Sequence, residues 1–243
     1  MEAAHRPWPP PSGPWVMAQS WHDLLFAHWP VDAGALRAQI PPALPLDTFE
    51  GQAWLGVVPF RMSGVRLRGM PPLPGLSAFP ELNVRTYVTI EGKPGVFFFS
   101  LDAANAVAVA VARRWFHLPY VRARMACRAE GDAIRYESRR THRGAPPAEL
   151  RGGYRPTGPA AAASRGSLAY WLTERYCLYA ADQRGGIHRG EILHAPWPLQ
   201  PAEAALETNT MAAPLGVLLA GQPLLHFARR LDVRVWPLQR VMS

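Results

Sequence analysis

The chain has 243 residues, 49% of them hydrophobic, and a formal net charge of +8. That length supports a substantial core, and no apolar run reaches the roughly 20 residues that a membrane-spanning helix needs. Basic charge can mark nucleic-acid binding, but here the arginines are scattered singly and in pairs, Lys93 is the only lysine and no Lys/Arg block occurs. Neither a nucleic acid nor a membrane is therefore expected as a partner.

The opening "MEAAHRPWPPPSGP" (1–14) reads as a flexible Pro-rich leader, because its prolines cannot donate backbone hydrogen bonds. It lacks a continuous apolar stretch of the kind a secretory signal carries. Residues 15–243 read as a single domain, since no long linker divides them. "WVMAQSW" and "DLLFAHWPV" suit two short strands or one bent strand. "VDAGALRAQIPP" suits a short helix with Asp32 as N-cap and Pro41 as its stop. "LDTFEGQAWLGVVPFRM" is rich in strand formers, with a turn near Glu50-Gly51. Gly69 to Phe79 is a Pro/Gly loop lying over a surface or a pocket mouth.

"ELNVRTYVTI" is a strand, "EGKPG" its hairpin turn and "VFFFSL" the return strand. "DAANAVAVAVARRWF" reads as a buried helix with Asp102 as N-cap and Arg113-Arg114 in its last turn, where cations suit the helix dipole. "VRARMACRAEGDAIRYESRR" reads as a hairpin turning at Glu130-Gly131-Asp132, and residues 143–166 as a loop-rich stretch. "SLAYWLTERY" suits a short helix capped by Ser167. "CLYAADQRGGIHRGEILHAPW" reads as strand, turn, strand, and "LHFARRLDVRVWPL" adds at least one more strand. The expected fold class is α+β, predominantly antiparallel β, with a few short helices and strands curling toward a barrel.

Chemistry is concentrated in Glu81–Ile90. Alternation puts Leu82, Val84, Thr86, Val88 and Ile90 on one face and Glu81, Asn83, Arg85, Tyr87 and Thr89 on the other. Either the polar face is solvated, or it turns into a barrel whose interior holds a polar pocket. His188 and His194 share one face of an expected strand, as do His22 and His28, but no HxH or HExxH spacing appears. No metal and no cofactor is expected. Cys127 and Cys177 fit no CxxC pattern and suit reduced, buried thiols in a cytoplasmic protein.

The segments "WHDLLFAHWPV", "AWLGVVPFRM", "ELNVRTYV", "GVFFFSLDA", "RRWFHLPY", "SLAYWLTERY" and "HAPWPL", in that order, resemble the YqjF-like family, domain of unknown function 2071, from about Trp15 to about Pro237. That family is in turn similar to the acetoacetate decarboxylase superfamily. "DAGALRAQIPPALPLD" resembles the early helix of those enzymes, and "SLDAANAVAVAVARRWFHLPY" resembles their strand, Gly-Arg-Glu and Pro-Lys-Lys region. The resemblance implies a cone-shaped β-barrel and places Arg113 or Arg114 at the arginine of Gly-Arg-Glu. It sets His22 near an early-strand arginine and Glu81 near a pocket glutamate.

The chemistry of those enzymes needs the lysine that follows the proline, because its amine forms an imine with the ketone. Here Tyr120 and Val121 follow Pro119, and Lys93 stands in an expected exposed turn. A phenol cannot form an imine, so Schiff-base decarboxylation is not expected. The leading expectation is a small-molecule pocket lined by Glu81, Asn83, Arg85, Arg113, Tyr120 and His22, with Tyr120 and Glu81 as candidates for acid/base work on a carbonyl or carboxylate compound. The alternative is a non-catalytic binding or assembly module with a filled barrel. The oligomeric state stays open, a homo-oligomer included.

Overall fold

The structure is a computed structural model that describes residues 2–105, 109, 117–182 and 184–242. It is built from β1 (Met17–Val31), β2 (Ala53–Leu67), β3 (Phe79–Ile90), β4 (Lys93–Ala103), β5 (Tyr120–Glu130), β6 (Ala133–Arg140), β7 (Glu149–Pro156), β8 (Cys177–Ala181), β9 (Ile187–Leu193), β10 (Gln200–Asn209), β11 (Leu224–Val235) and β12 (Gln239–Met242). Among the described residues, two short helices join them, α1 (Ala33–Arg37) and α2 (Leu168–Thr173). No helix among the described residues is long and apolar enough to cross a membrane.

Local chemistry explains several elements. Asp32 caps α1 by accepting from the Ala35 N–H at 2.7 Å, and Ser167 caps α2 by accepting from Tyr170 N–H at 3.2 Å. The β3–β4 hairpin turns through Glu91 at φ 53° and Gly92 at φ 70°, the paired positive angles of a type I′ turn that matches the strand twist. The β1 segment is one long strand, bent where Asp23 takes φ 52° and the register against β2 shifts between His22 and Ala27. This irregularity exchanges the faces, so that Trp21 and Leu24 point to the same side.

Two strands divide their pairing. On β4, Leu101–Ala103 run parallel to the start of β5, whereas Val96 and Phe97 run parallel to Leu178 and Tyr179 of β8. On β11, His226 and Phe227 pair with β10, whereas Arg234 and Val235 pair with β9. A nine-stranded mixed ring therefore closes through β5, β6, β7 and β10, and β8–β9 link β4 to β11 by a second route. The strands β1 to β4 and β11 form a wall common to both circuits.

The interior of the nine-stranded ring is packed. Leu82, Val84 and Val88 of β3 meet Ile134, Tyr136, Leu150, Tyr154 and Phe227 there. Each fully buried aliphatic side chain stabilises by about 2 kcal/mol relative to exposure. The Tyr136 hydroxyl donates to the carbonyls of Glu81 and Phe60 at 2.7 and 3.1 Å, and Tyr154 donates to the Asp23 carbonyl at 2.7 Å. The space is thus filled and its phenols are satisfied. The opposite face of the wall packs a second cluster that includes Phe26, Phe60, Leu101, Tyr120 and Trp197.

Three sequence expectations change. Asp102 is not a helix N-cap: it is a fully buried residue of β4, and its carboxylate holds Arg140 in a two-point pair at 2.8 and 2.9 Å. Ala103 also belongs to β4, and residues 106–116 of the expected helix, with Arg113 and Arg114, lie outside the described residues apart from Val109, which is buried in the second cluster. The stretch 143–166 is not all loop, because it contains β7. Its Gly152 approaches β10 so closely that a Cβ there would sit 2.4 Å from the Ala205 carbonyl oxygen. Glycine, a turn signal in sequence, is here the residue that lets two strands meet. Finally, β10 forms where the sequence carries little strand signal, since its inward side is Ala202, Ala204 and Leu206, residues of modest strand preference.

The leader is fastened near its start. Buried Arg6 donates to Glu191 at 2.9 Å, and the Trp8 indole donates to the same carboxylate at 2.8 Å.

Candidate functional site

Alternation in β3 sends Glu81, Asn83 and Arg85 to the side of the wall away from the filled ring. There they line a cavity of about 200 Å³ together with Tyr120. All four are buried. The polar face of β3 is therefore interior, and it belongs to the second circuit rather than to the nine-stranded ring. The remaining walls are largely apolar: Phe60 and Met62 of β2, Leu101 of β4, Ile192 of β9 and Val235 of β11 contribute.

Tyr120 sits where β5 begins, held by its parallel pairing with Leu101. Its hydroxyl donates to Glu81 Oε2 at 2.8 Å. Burial pushes the Glu81 carboxyl up to about 8; the Tyr120 hydrogen bond opposes the rise and the neighbouring Asp102 carboxylate adds to it. Burial and the adjacent Glu81 also hold the Tyr120 phenol well above its ordinary range. Both groups thus keep their protons at neutral pH.

The structure adds residues that the sequence did not single out. Thr173, Arg175 and His194 line the cavity, as do Gln19, Trp21 and Trp197. Arg175 follows α2, donates to Asp47 at 2.7 Å and to the Trp171 carbonyl at 2.6 Å, and lies over the rings of Trp171 and Tyr87. Arg85 donates to the Leu172 carbonyl at 3.3 Å and lies 5.2 Å from the Phe26 ring centre. Burial lowers the His194 imidazole to about 4, so it is neutral, and its Nδ1 lies 2.7 Å from the Ala195 carbonyl. Arg175 and His194 stand in "LTERY" and "HAPW", where no spacing or periodicity ties them to β3. Several polar atoms on lining residues have no hydrogen-bond partner among the described residues: Asn83 Oδ1, Arg85 Nε, Arg175 Nη2 and the indole nitrogens of Trp21 and Trp197. Donors predominate in this set, which suits a ligand that offers acceptors.

The other expected residues fall elsewhere. His22 is not among the lining residues: the bend at Asp23 leaves it on the far side from Trp21, and its Nε2 contacts Ser63 Oγ at 2.7 Å. Arg113 lies outside the described residues. His188 and His194 do not act together, because β9 ends at Leu193 and His188 turns to Asp182 at 2.9 Å. His28 is buried behind Arg85 and pairs with the Tyr87 hydroxyl at 2.7 Å. No group of three or more potential metal ligands occurs among the described residues. Cys177 also lines the cavity, but burial pushes its thiol up to about 12, so it is no ready nucleophile. Lys93 is not a lining residue; its Nζ pairs with Glu191 at 3.0 Å.

Known proteins agree with this architecture. Residues 18–232 match the family DUF2071, described as an uncharacterized conserved protein. The uncharacterized protein YqjF of Bacillus subtilis (strain 168) is 49% identical over 231 residues, covering 95% of this chain and 94% of that one. Among solved structures, acetoacetate decarboxylase from Legionella pneumophila superposes with a TM-score of 0.63 at 16% identity, covering 98% of this chain and 93% of that one. The enduracididine biosynthesis enzyme MppR superposes with a TM-score of 0.66 at 12% identity, covering 95% of this chain and 90% of that one. At such identities the solved structures speak for the fold alone. The chain belongs to the DUF2071 family and has the acetoacetate decarboxylase-like barrel fold.

Proposed function

We propose that the cavity beside β3 binds a small carbonyl or carboxylate compound and that the protein does so without forming an imine. The observation that carries this reading is the Tyr120–Glu81 pair, a phenol 2.8 Å from a carboxyl whose proton burial retains. It stands in the cavity near the turn where a Schiff-base lysine would be expected by resemblance. With the phenol proton donated to Glu81 Oε2, the Glu81 proton can polarise a carbonyl oxygen, and Arg85 and Arg175 supply donors for a carboxylate. Above about pH 8 the ionised Glu81 becomes a base, so the pair suits enolisation or hydration by proton transfer. The single lysine, engaged with Glu191, supports the absence of imine chemistry. The two free thiols, Cys127 and Cys177, support a reducing, cytoplasmic setting.

MppR has been solved complexed with pyruvate, which together with acetoacetate defines the first compounds to try. Incubation with either, followed by borohydride, is expected to leave the protein mass unchanged; a reduced covalent adduct refutes the reading. Calorimetric titration with a panel of short 2-oxo and 3-oxo acids and their alcohols is expected to show binding. Silence across the whole panel removes the pocket assignment.

A further inference from the structure

We propose that this cavity selects an elongated monoanion, a carboxylate with an apolar tail, whose head pairs with Arg85 and whose tail runs along β3 toward Phe79. The inference rests on the pocket reading above and narrows it to one ligand class.

The first observation is a missing counter-charge. Buried arginines elsewhere in the molecule are matched: Arg6 with Glu191, Arg175 with Asp47, and Arg189 with Glu91 and Glu191. Arg85 is also buried, yet it takes part in none of the ion pairs among the described residues, and its hydrogen bond there goes to the neutral Leu172 carbonyl. Its guanidinium faces the rings of Phe26 and Tyr87, and its Nε has no partner among the described residues. A buried charge left without an opposite charge is costly unless something pairs it. Within the cavity, Arg175 is already balanced by Asp47, and Glu81 keeps its proton near neutral pH. Among the described lining residues, Arg85 is thus a positive charge without an opposite charge beside it, and a monoanion neutralises it.

The second observation is shape. Phe79, Glu81, Asn83 and Arg85 all line the cavity from the same face of one strand. At about 3.3 Å per residue, the backbone from Phe79 to Arg85 extends roughly 20 Å. The charged groups stand toward the Arg85 end, where Thr173, Arg175 and His194 also line the cavity, and the Tyr120–Glu81 pair lies between the two ends. The Phe79 end is apolar, formed with Met17, Met62, Val65 and Val235. A charged head at one end of the cavity, with a lining at the other that is apolar apart from Gln19, fits an amphiphile better than a compact polar acid. Such a ligand would lie across the Tyr120–Glu81 pair.

The test uses the whole protein and three probes: octanoate, octanol and propanoate. Octanoate is expected to bind at least tenfold more tightly than octanol, because hydrogen bonds to a charged group are the stronger kind. It is also expected to bind more tightly than propanoate, because the tail adds apolar contact. In Arg85→Met the octanoate affinity is expected to fall roughly ten- to a hundredfold, with octanol unchanged. Arg85→Lys, which keeps the charge, should retain a preference for octanoate over octanol. Equal binding of octanoate and octanol by the wild-type protein overturns the anion selection, and that comparison needs no variant. Equal binding of octanoate and propanoate overturns the tail. Either result leaves the pocket reading intact, whereas failure of all three probes together with the oxo acids removes both.

Discussion

Replacing Glu81 by glutamine removes a proton-binding site while keeping the acceptor for Tyr120, since the amide oxygen can take the hydrogen bond that spans 2.8 Å in the wild type. The rise of the Glu81 carboxyl from 4.5 to about 8 means that the folded chain holds a proton that the unfolded chain releases. At about 1.36 kcal/mol per pH unit, ionising this group inside the fold costs on the order of 5 kcal/mol. The sign follows from proton linkage. Between 4.5 and about 8 the folded state binds more protons than the unfolded state, so the contribution of this group to stability declines as pH rises. Below 4.5 and above about 8 its contribution is level. Urea unfolding of wild type and Glu81→Gln, at matched ionic strength from about pH 5 to about pH 9, isolates this term because all other titrations cancel in the difference. The variant is expected to gain several kcal/mol on the wild type across that range, with most of the gain between about pH 5 and about pH 8. A difference that stays level with pH would show that Glu81 is ionised throughout and would refute the buried neutral carboxyl on which the acid pair depends.

Two structural predictions follow from the wall and the ring. Asp102→Asn breaks a buried two-point pair with Arg140 at 2.8 and 2.9 Å, which is expected to cost about 3–5 kcal/mol in chemical unfolding; a loss below about 1 kcal/mol would place the pair among weak surface bridges. Gly152→Ala puts a methyl group 2.4 Å from the Ala205 carbonyl oxygen, and the forced separation of β7 from β10 is expected to cost more than about 2 kcal/mol in unfolding free energy, read as a lowered Tm. An alanine variant as stable as wild type would mean that the two strands part without strain.

Much of the scaffold follows from short-range chemistry. Asp32 and Ser167 cap helices because their side chains satisfy the first free N–H groups, and this holds wherever the helix is placed. Glu91-Gly92 and Gly131 turn hairpins because flanking alternation and a tolerated positive φ decide the reversal locally. The two-sided character of β3 is equally plain, since a period of two sorts Leu82, Val84 and Val88 from Glu81, Asn83 and Arg85. The family is legible too, because its segments recur in order along most of the chain.

What alternation cannot say is which face is covered. A polar row such as Glu81, Asn83 and Arg85 reads the same whether water or protein lies beyond it, and only the branching of β4 and β11 encloses it. The same long-range packing makes Gly152 a point of strand contact rather than a turn, and turns Asp102 from an apparent cap into the partner of Arg140. His22 leaves the site because a bend one residue later exchanges the faces of β1. Arg175 and His194 enter it from segments about a hundred residues distant in the chain. Caps, turns, strand faces and the lack of a lysine after Pro119 are all written in short stretches of the chain. Only long-range packing brings a phenol and a proton-retaining carboxyl together, and buries Arg85 away from any carboxylate among the described residues. Burial and pairing are properties of contacts between distant segments, and no local pattern records them.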